Sequence, residues 1–185
     1  MIRISLSALS AAVALFAGGG CRSTEATAQS PMEASDATAG SSALYTAYNL
    51  WFENPEKMSS VNYHTGAIIL AGSKVIRLST HTKTIRFRLA DEERSFSIRE
   101  EFTNRSFASQ ALEERTKKFS NQEKEMIRSG SVGNGMSKEA VLVSWRYPPE
   151  HQTLSTTANT WVYWRNRFMK QAVQFGQNGK VMNVN

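Results

Sequence analysis

Apolar and polar residues alternate in short runs between residues 61 and 102, a pattern typical of a small β-sheet domain. The clearest alternation places Ile85, Phe87 and Leu89 on one face of a strand, with threonine and arginines on the other. Similar runs at residues 67–70, 75–78 and 95–98 are separated by predicted turns or loops at residues 71–73, 79–82 and 90–93. The pattern predicts four or five short strands in an antiparallel, barrel-like domain of SH3-like size over residues 43–105.

An aromatic segment, residues 45–52, precedes these strands. We expect it to seal the β domain, either as an edge strand or as a short turn-like segment. The alternative is an exposed aromatic patch that contacts a partner or a membrane surface.

Helical spacing replaces the alternation over residues 107–130, which we predict to be helical. Ser120 and Glu123 fit a capping box, and Gly130 is the predicted end of the second helix. A partial apolar stripe runs through Ala111, Leu112, Arg115 and Phe119. Residues 106–134 are therefore predicted to form a helical connector.

The C-terminal segment, residues 135–185, combines both patterns. Ser137 is a predicted N-cap for a short helix, which ends at Tyr147-Pro148-Pro149 because proline disfavours helical geometry in the residue before it. Three strand-like runs follow, and Asn178-Gly179 supplies the backbone freedom of a tight hairpin. We expect one helix packed on a three-stranded antiparallel meander, and an α+β fold for the whole chain.

The first strand of that meander carries the candidate partner-binding residues Trp161, Tyr163, Trp164 and Arg165. In a strand, Trp161 and Tyr163 share one face, whereas Trp164 lies on the other. One pair of side chains must pack on the helix. The other pair faces solvent, the first domain or a partner, and aromatic residues are enriched at binding hot spots.

The chain begins with a pattern typical of an exported lipoprotein. Residues 1–20 contain a basic start, an apolar run too short to span a membrane comfortably, and small residues before Cys21, the only cysteine. We predict that Cys21 is lipidated after cleavage and that residues 21–42, rich in Ala, Ser, Thr and Gly, form a flexible tether. An ordinary cleaved secretory signal is the alternative.

Charge and candidate chemistry narrow the function further. The formal net charge is +6, but the basic residues are spread along the chain, and a basic solvated surface is the simplest interpretation. The alternative is attraction to an anionic lipid or an acidic protein, which an exported protein meets more often than nucleic acid. His64, His81 and His151 are far apart in sequence, each in a predicted turn, and no metal-binding spacing or Gly-x-Ser-x-Gly motif is present. We therefore predict no enzyme activity, no metal and no cofactor.

A family resemblance rests on the order of several C-terminal motifs. They read Gly-Met-Ser-Lys-Glu-Ala-Val from Gly135, then Tyr-Pro-Pro from Tyr147, Trp-Val-Tyr-Trp from Trp161, Val-Gln-Phe, and Asn-Gly-Lys-Val from Asn178. This order resembles the SmpA/OmlA family of outer-membrane lipoproteins related to BamE, and the whole chain is similar to bacterial lipoproteins. The resemblance implies helices packed on a three-stranded sheet and an accessory role in assembling β-barrel proteins. Arg146 departs from the pattern, because the family usually has glycine there, and we expect altered geometry at the helix end.

These observations together predict a lipid-anchored protein on the periplasmic face of the outer membrane. It would act by binding envelope proteins, in β-barrel assembly or envelope integrity. A periplasmic binding or inhibitor module is the alternative, and an envelope hydrolase is a third possibility.

Overall fold

A computed structural model describes residues 43–59, 64–100 and 105–185. The predicted signal peptide, Cys21 and the tether lie outside the described residues. The secondary-structure elements, in chain order, are β1 (Leu44–Thr46), β2 (Leu50–Phe52), β3 (Met58–Ser59), β4 (Ala67–Ile69), β5 (Lys74–His81), β6 (Thr84–Leu89), β7 (Ser95–Arg99), β8 (Phe107–Ala108), α1 (Leu112–Arg115), α2 (Asn121–Arg128), α3 (Lys138–Trp145), β9 (Thr160–Trp164), β10 (Lys170–Phe175) and β11 (Val181–Val184). The α+β class is confirmed.

Six of the strands form one curled sheet in the order β3-β7-β6-β5-β1-β8, a half-barrel. Its β5-β6-β7 centre is antiparallel, and Ile85 and Phe87 are buried on one face as the alternation predicts. The sheet is mixed and not purely antiparallel as predicted, because β3 pairs in parallel with β7. The predicted loop at residues 79–82 is also wrong, since β5 continues to His81 through a bulge and turns at Thr82 with a φ of 48°.

The aromatic segment 45–52 contributes two strands to two different sheets. β1 joins the curled sheet, whereas β2 pairs with β4 in a separate two-stranded sheet. Asn49, between them, is fully buried and bonded at both ends of its amide. Its Nδ2 donates to the Ile127 carbonyl at 2.8 Å, and its Oδ1 accepts from the Ala71 N–H at 2.7 Å. This residue therefore ties the first strands to α2.

Residues 107–130 are less helical than predicted. Residues 107–108 form strand β8, which pairs with β1, and α1 is a single turn. The capping box at Ser120 and Glu123 is present, and Gly130 follows the end of α2 with a φ of 65°. Pairing with a distant strand has overridden the helical tendency of the first part of this segment.

The C-terminal residues form α3 and a three-stranded antiparallel sheet in the order β11-β10-β9. The Ser137 hydroxyl accepts the N–H of Ala140 and begins α3, as predicted. Helix and sheet share one hydrophobic cluster, which includes Val141, Trp145 and Val173. A second cluster fills the curled sheet. Within the described residues no helix is long and apolar enough to cross a membrane.

Candidate partner-binding surface

The two faces of β9 have different surroundings. Trp161 is fully buried, and its ring lies 4.7 Å from that of Phe175 and beneath the Lys138 ammonium of α3. Tyr163 is 2% exposed and donates its hydroxyl to the Arg146 carbonyl at 2.9 Å. This is the pair that packs on the helix, so these two predicted partner-binding residues have almost no exposed surface with which to contact a partner.

Trp164 and Arg165 lie on the other side and at the end of the strand. Trp164 is half-buried: the Lys170 ammonium sits 4.8 Å from its ring centroid, and its indole N–H points to His151 Nε2 at 3.4 Å. Arg165 is exposed. The predicted surface is therefore reduced to these two residues, and it continues into the turn that follows them.

That turn, which we call the hairpin tip (residues 164–170), projects two apolar side chains into solvent. Phe168 is 85% exposed and Met169 is 50% exposed. The tip is ordered by its own hydrogen bonds, because Asn166 Oδ1 accepts the N–H groups of both residues at 2.9 Å. The Arg165 N–H donates to the Met169 carbonyl at 2.9 Å and closes the turn. The apolar pair is thus held at the apex by a defined backbone.

All the charges of the hairpin tip are positive. Arg165, Arg167 and Lys170 are exposed, and residues 160–170 contain no Asp or Glu. The Arg167 guanidinium lies 5.9 Å from the Phe168 ring centroid, which favours a cation–π contact. An apolar apex surrounded by cations is complementary to an acidic surface that contains an apolar recess.

A partly buried polar contact links the base of the hairpin to the rest of the molecule. Gln171 Nε2 of β10 lies 3.0 Å from His64 Nδ1, and the His64 ring lies 4.7 Å from Trp145 and 5.8 Å from Tyr163. Burial, assisted by the positive charge of Arg146, lowers the pKa of His64 to about 3. The imidazole is therefore neutral near neutral pH and is a partly buried residue that packs against aromatic rings and contacts Gln171.

Arg146 ends α3 in a backbone conformation that glycine normally adopts, with φ 60° and ψ −169°. Its side chain is almost fully buried, and Nη1 donates to the Ser59 carbonyl of β3 at 2.9 Å. Burial lowers the pKa of the guanidinium to about 10, although Tyr48 and Tyr163 oppose this change. Arg146 thus keeps the backbone geometry that glycine would adopt, so the altered geometry expected at this helix end is not found, and α3 ends at the predicted place.

The three histidines have different surroundings, and within the described residues they do not form a metal site together. His64 is partly buried beside Trp145, and His151 is exposed beside Trp164. His81 is exposed as the last residue of β5, so the prediction that it lies in a turn is wrong by one residue. In the described part of the chain, no three His, Cys, Asp or Glu side chains come close enough to hold a metal ion.

Phe168 and Met169, the exposed apolar residues of the hairpin tip, are not among the residues predicted from the sequence. The available signal was an apolar pair in the turn between two strand-like runs, flanked by Arg165, Arg167 and Lys170. Turn residues are usually polar, so this pair is unusual.

Comparisons of the chain with protein-family models, curated proteins and solved structures find no match.

Proposed function

We propose that this chain is a lipid-anchored outer-membrane protein that acts by binding envelope proteins. The hairpin tip is the surface that contacts them. The single observation that carries the binding part of the proposal is the apex of Phe168 and Met169, exposed on an ordered turn among cations. Exposed apolar residues next to positive charge favour association with an acidic partner.

The anchor and the cellular role rest on the sequence. Small residues before the lone Cys21 support lipidation, and the C-terminal motif order supports an accessory role in barrel assembly or envelope integrity. The finer fold proposal is that the curled sheet is SH3-like and that α3 with β9–β11 is BamE-like. Metabolic labelling with palmitate tests the anchor: the label should be lost in Cys21→Ala, and label retained in that variant contradicts it.

Site-specific photo-cross-linking in cells tests the binding surface. A photoreactive phenylalanine analogue at position 168 should give a discrete adduct with an envelope protein. The matched control carries the analogue at Met182, which is 60% exposed on β11, and should not give that adduct. Reversing the charge of the tip with Arg165→Glu and Arg167→Glu should reduce the adduct, because an acidic partner would then be repelled.

Three outcomes contradict the proposed surface. The first is the same adduct from both positions, and the second is an adduct that the charge reversal leaves unchanged. The third is cross-linking of position 168 to lipid alone, which would make the tip a membrane-binding element. Barrel-assembly components in the adduct support the proposed role, whereas a soluble enzyme would favour an inhibitor.

A further inference from the structure

A cavity of about 310 Å³ lies on the side of the molecule where the segment after β1 meets α1 and α3. Its apolar wall consists of Ala47, Phe119, Leu142 and Val143, and Tyr48 and Tyr147 also line it. Its volume is at the lower end of the range for small-molecule sites, and such sites combine apolar walls with a few placed polar groups. The cavity can therefore hold a small molecule with an apolar part.

Arg115 supplies a fixed charge in the wall of this cavity. Its Nη2 donates to the Ala47 carbonyl at 2.6 Å, which holds the guanidinium in place. The neighbouring Nη1 is buried and has no acceptor among the described residues. Since Nη1 has almost no accessible surface, the guanidinium acts on a molecule in the cavity through its positive charge and not through this donor. Burial also lowers the pKa of Arg115, although Tyr147 opposes this change.

The remaining charges of the cavity favour an anion as well. Lys118 lies on the rim and is exposed, and Arg105 also lines the cavity. The one acidic lining residue, Glu139, is exposed. The ion pairs found between described residues involve Lys117, Arg128 and Lys180, and neither Arg115 nor Lys118 takes part in them.

We propose that this cavity binds an apolar monocarboxylate. The carboxylate is attracted by the positive charges of Arg115 and Lys118, and the apolar part of the molecule lies against Phe119, Leu142 and Val143. A short fatty acid and an arylalkanoic acid share this chemistry. The cavity is distinct from the hairpin tip, so the proposal is independent of the proposed protein-binding surface.

Two-dimensional amide NMR of the purified full chain tests this with octanoate and phenylpropanoate as probes. Both acids should shift the amide signals of Leu142 and Val143 with saturable dependence on concentration. Phenylpropanol, which has the same ring and chain without the charge, should bind at least about tenfold more weakly. Saturation by octanoate alone would identify a fatty-acid site, and saturation by phenylpropanoate alone would identify an aromatic-acid site.

Two neighbouring lysines provide a matched pair of variants. Lys118→Met should weaken binding of the acids severalfold, whereas Lys117→Met should not, because Lys117 pairs with Glu114 at 2.7 Å and does not line the cavity. Arg115→Met should weaken binding of the acids at least as much as Lys118→Met, with retained amide dispersion as evidence of folding. Should that variant unfold, Leu142→Glu provides the same test by placing a negative charge in the wall.

The proposal is overturned by any one of three results. These are the absence of shifts at millimolar acid, equal binding of phenylpropanol, and equal weakening by Lys117→Met and Lys118→Met.

Discussion

Replacing Glu123 with glutamine should weaken the junction between α2, α3 and β11 more than any exposed charge change on the same helix. The Glu123 carboxylate is buried and accepts from the N–H and hydroxyl of Ser120 at 2.8 and 3.0 Å. Its other oxygen accepts from the N–H and hydroxyl of Ser137 at 2.8 Å each and from the Lys180 ammonium at 3.2 Å. One side chain therefore satisfies donors from three elements.

The magnitude follows from the protonation equilibrium of Glu123. Burial disfavours the charged carboxylate, but the hydrogen bonds from Ser120, Ser137 and Lys180 outweigh it and lower the pKa from 4.5 to about 2. This difference corresponds to at most about 3.4 kcal/mol of folding free energy. Lys180 is 44% exposed, so solvent screens part of the interaction, and we expect roughly 2 kcal/mol.

The dependence on pH has a definite sign. Because the native pKa of Glu123 is lower than the unfolded pKa, the contribution is fully present above about pH 4.5 and is lost as pH falls toward 2. The difference in unfolding free energy between wild type and Glu123→Gln should therefore shrink over that interval. A glutamine can still accept one hydrogen bond, but its amide N–H₂ then faces other donors.

Urea denaturation at pH 7 provides the measurement. For a urea dependence of about 2 kcal/mol/M, Glu123→Gln should lower the midpoint by about 1 M. The matched control is Glu125→Gln, since Glu125 forms an exposed pair with Arg128 at 3.2 Å on the same helix and should cost less than about 0.5 kcal/mol. Equal midpoints for the two variants would refute the assignment, and so would a difference that persists unchanged at pH 2.5.

Two further residues give predictions that urea denaturation also checks. The native pKa of His64 is about 3, below its ordinary 6.5, so its contribution is present above pH 6.5 and is lost as pH falls toward 3. Wild type should therefore lose about 2 kcal/mol more than His64→Gln between pH 7 and pH 5, where Glu123 does not titrate, and exposed His81→Gln should behave as wild type. Arg146→Gly and Arg146→Ala both remove the guanidinium. At a φ of 60° the backbone of alanine is strained and that of glycine is not, so the Arg146→Gly variant should be more stable than Arg146→Ala by about 1 kcal/mol. Equal pH dependence of both histidine variants, or an alanine variant as stable as the glycine variant, would contradict these expectations.

Local signals predicted the parts of the fold that local interactions determine. The capping box at Ser120 and Glu123 and the N-cap at Ser137 were predictable because their donors and acceptors lie within one helical turn. The alternation of β6 was predictable because one face of the strand is buried. The turn between β10 and β11 was predictable from Asn178-Gly179, and Gly179 adopts a φ of 71° there.

Long-range pairing explains what the sequence could not show. β8 consists of Phe107–Ala108, in a segment with partial helical spacing, and it is a strand only because β1 is beside it. β3 is equally short, and its parallel pairing with β7 has no local pattern. On β9 the alternation defined two faces, but only the position of α3 decides that Trp161 is inside. The exposed candidate surface is therefore the hairpin tip and not the face of β9 that carries Trp161 and Tyr163.

Arg146 is where the local and long-range influences on this chain meet. Proline at 148 explains why α3 stops, yet the left-handed turn is made by an arginine, the kind of residue that local rules exclude from it. The compensation lies in its contacts: the carbonyl accepts the Tyr163 hydroxyl, and the guanidinium donates to Ser59, 87 residues earlier in the chain. These bonds connect the base of the β9–β10 hairpin to the edge of the curled sheet through one buried residue. Because the hairpin is connected at its base and its tip is ordered by Asn166, the exposed apolar pair already has a defined backbone, which would lower the entropic cost of the association that we propose for it.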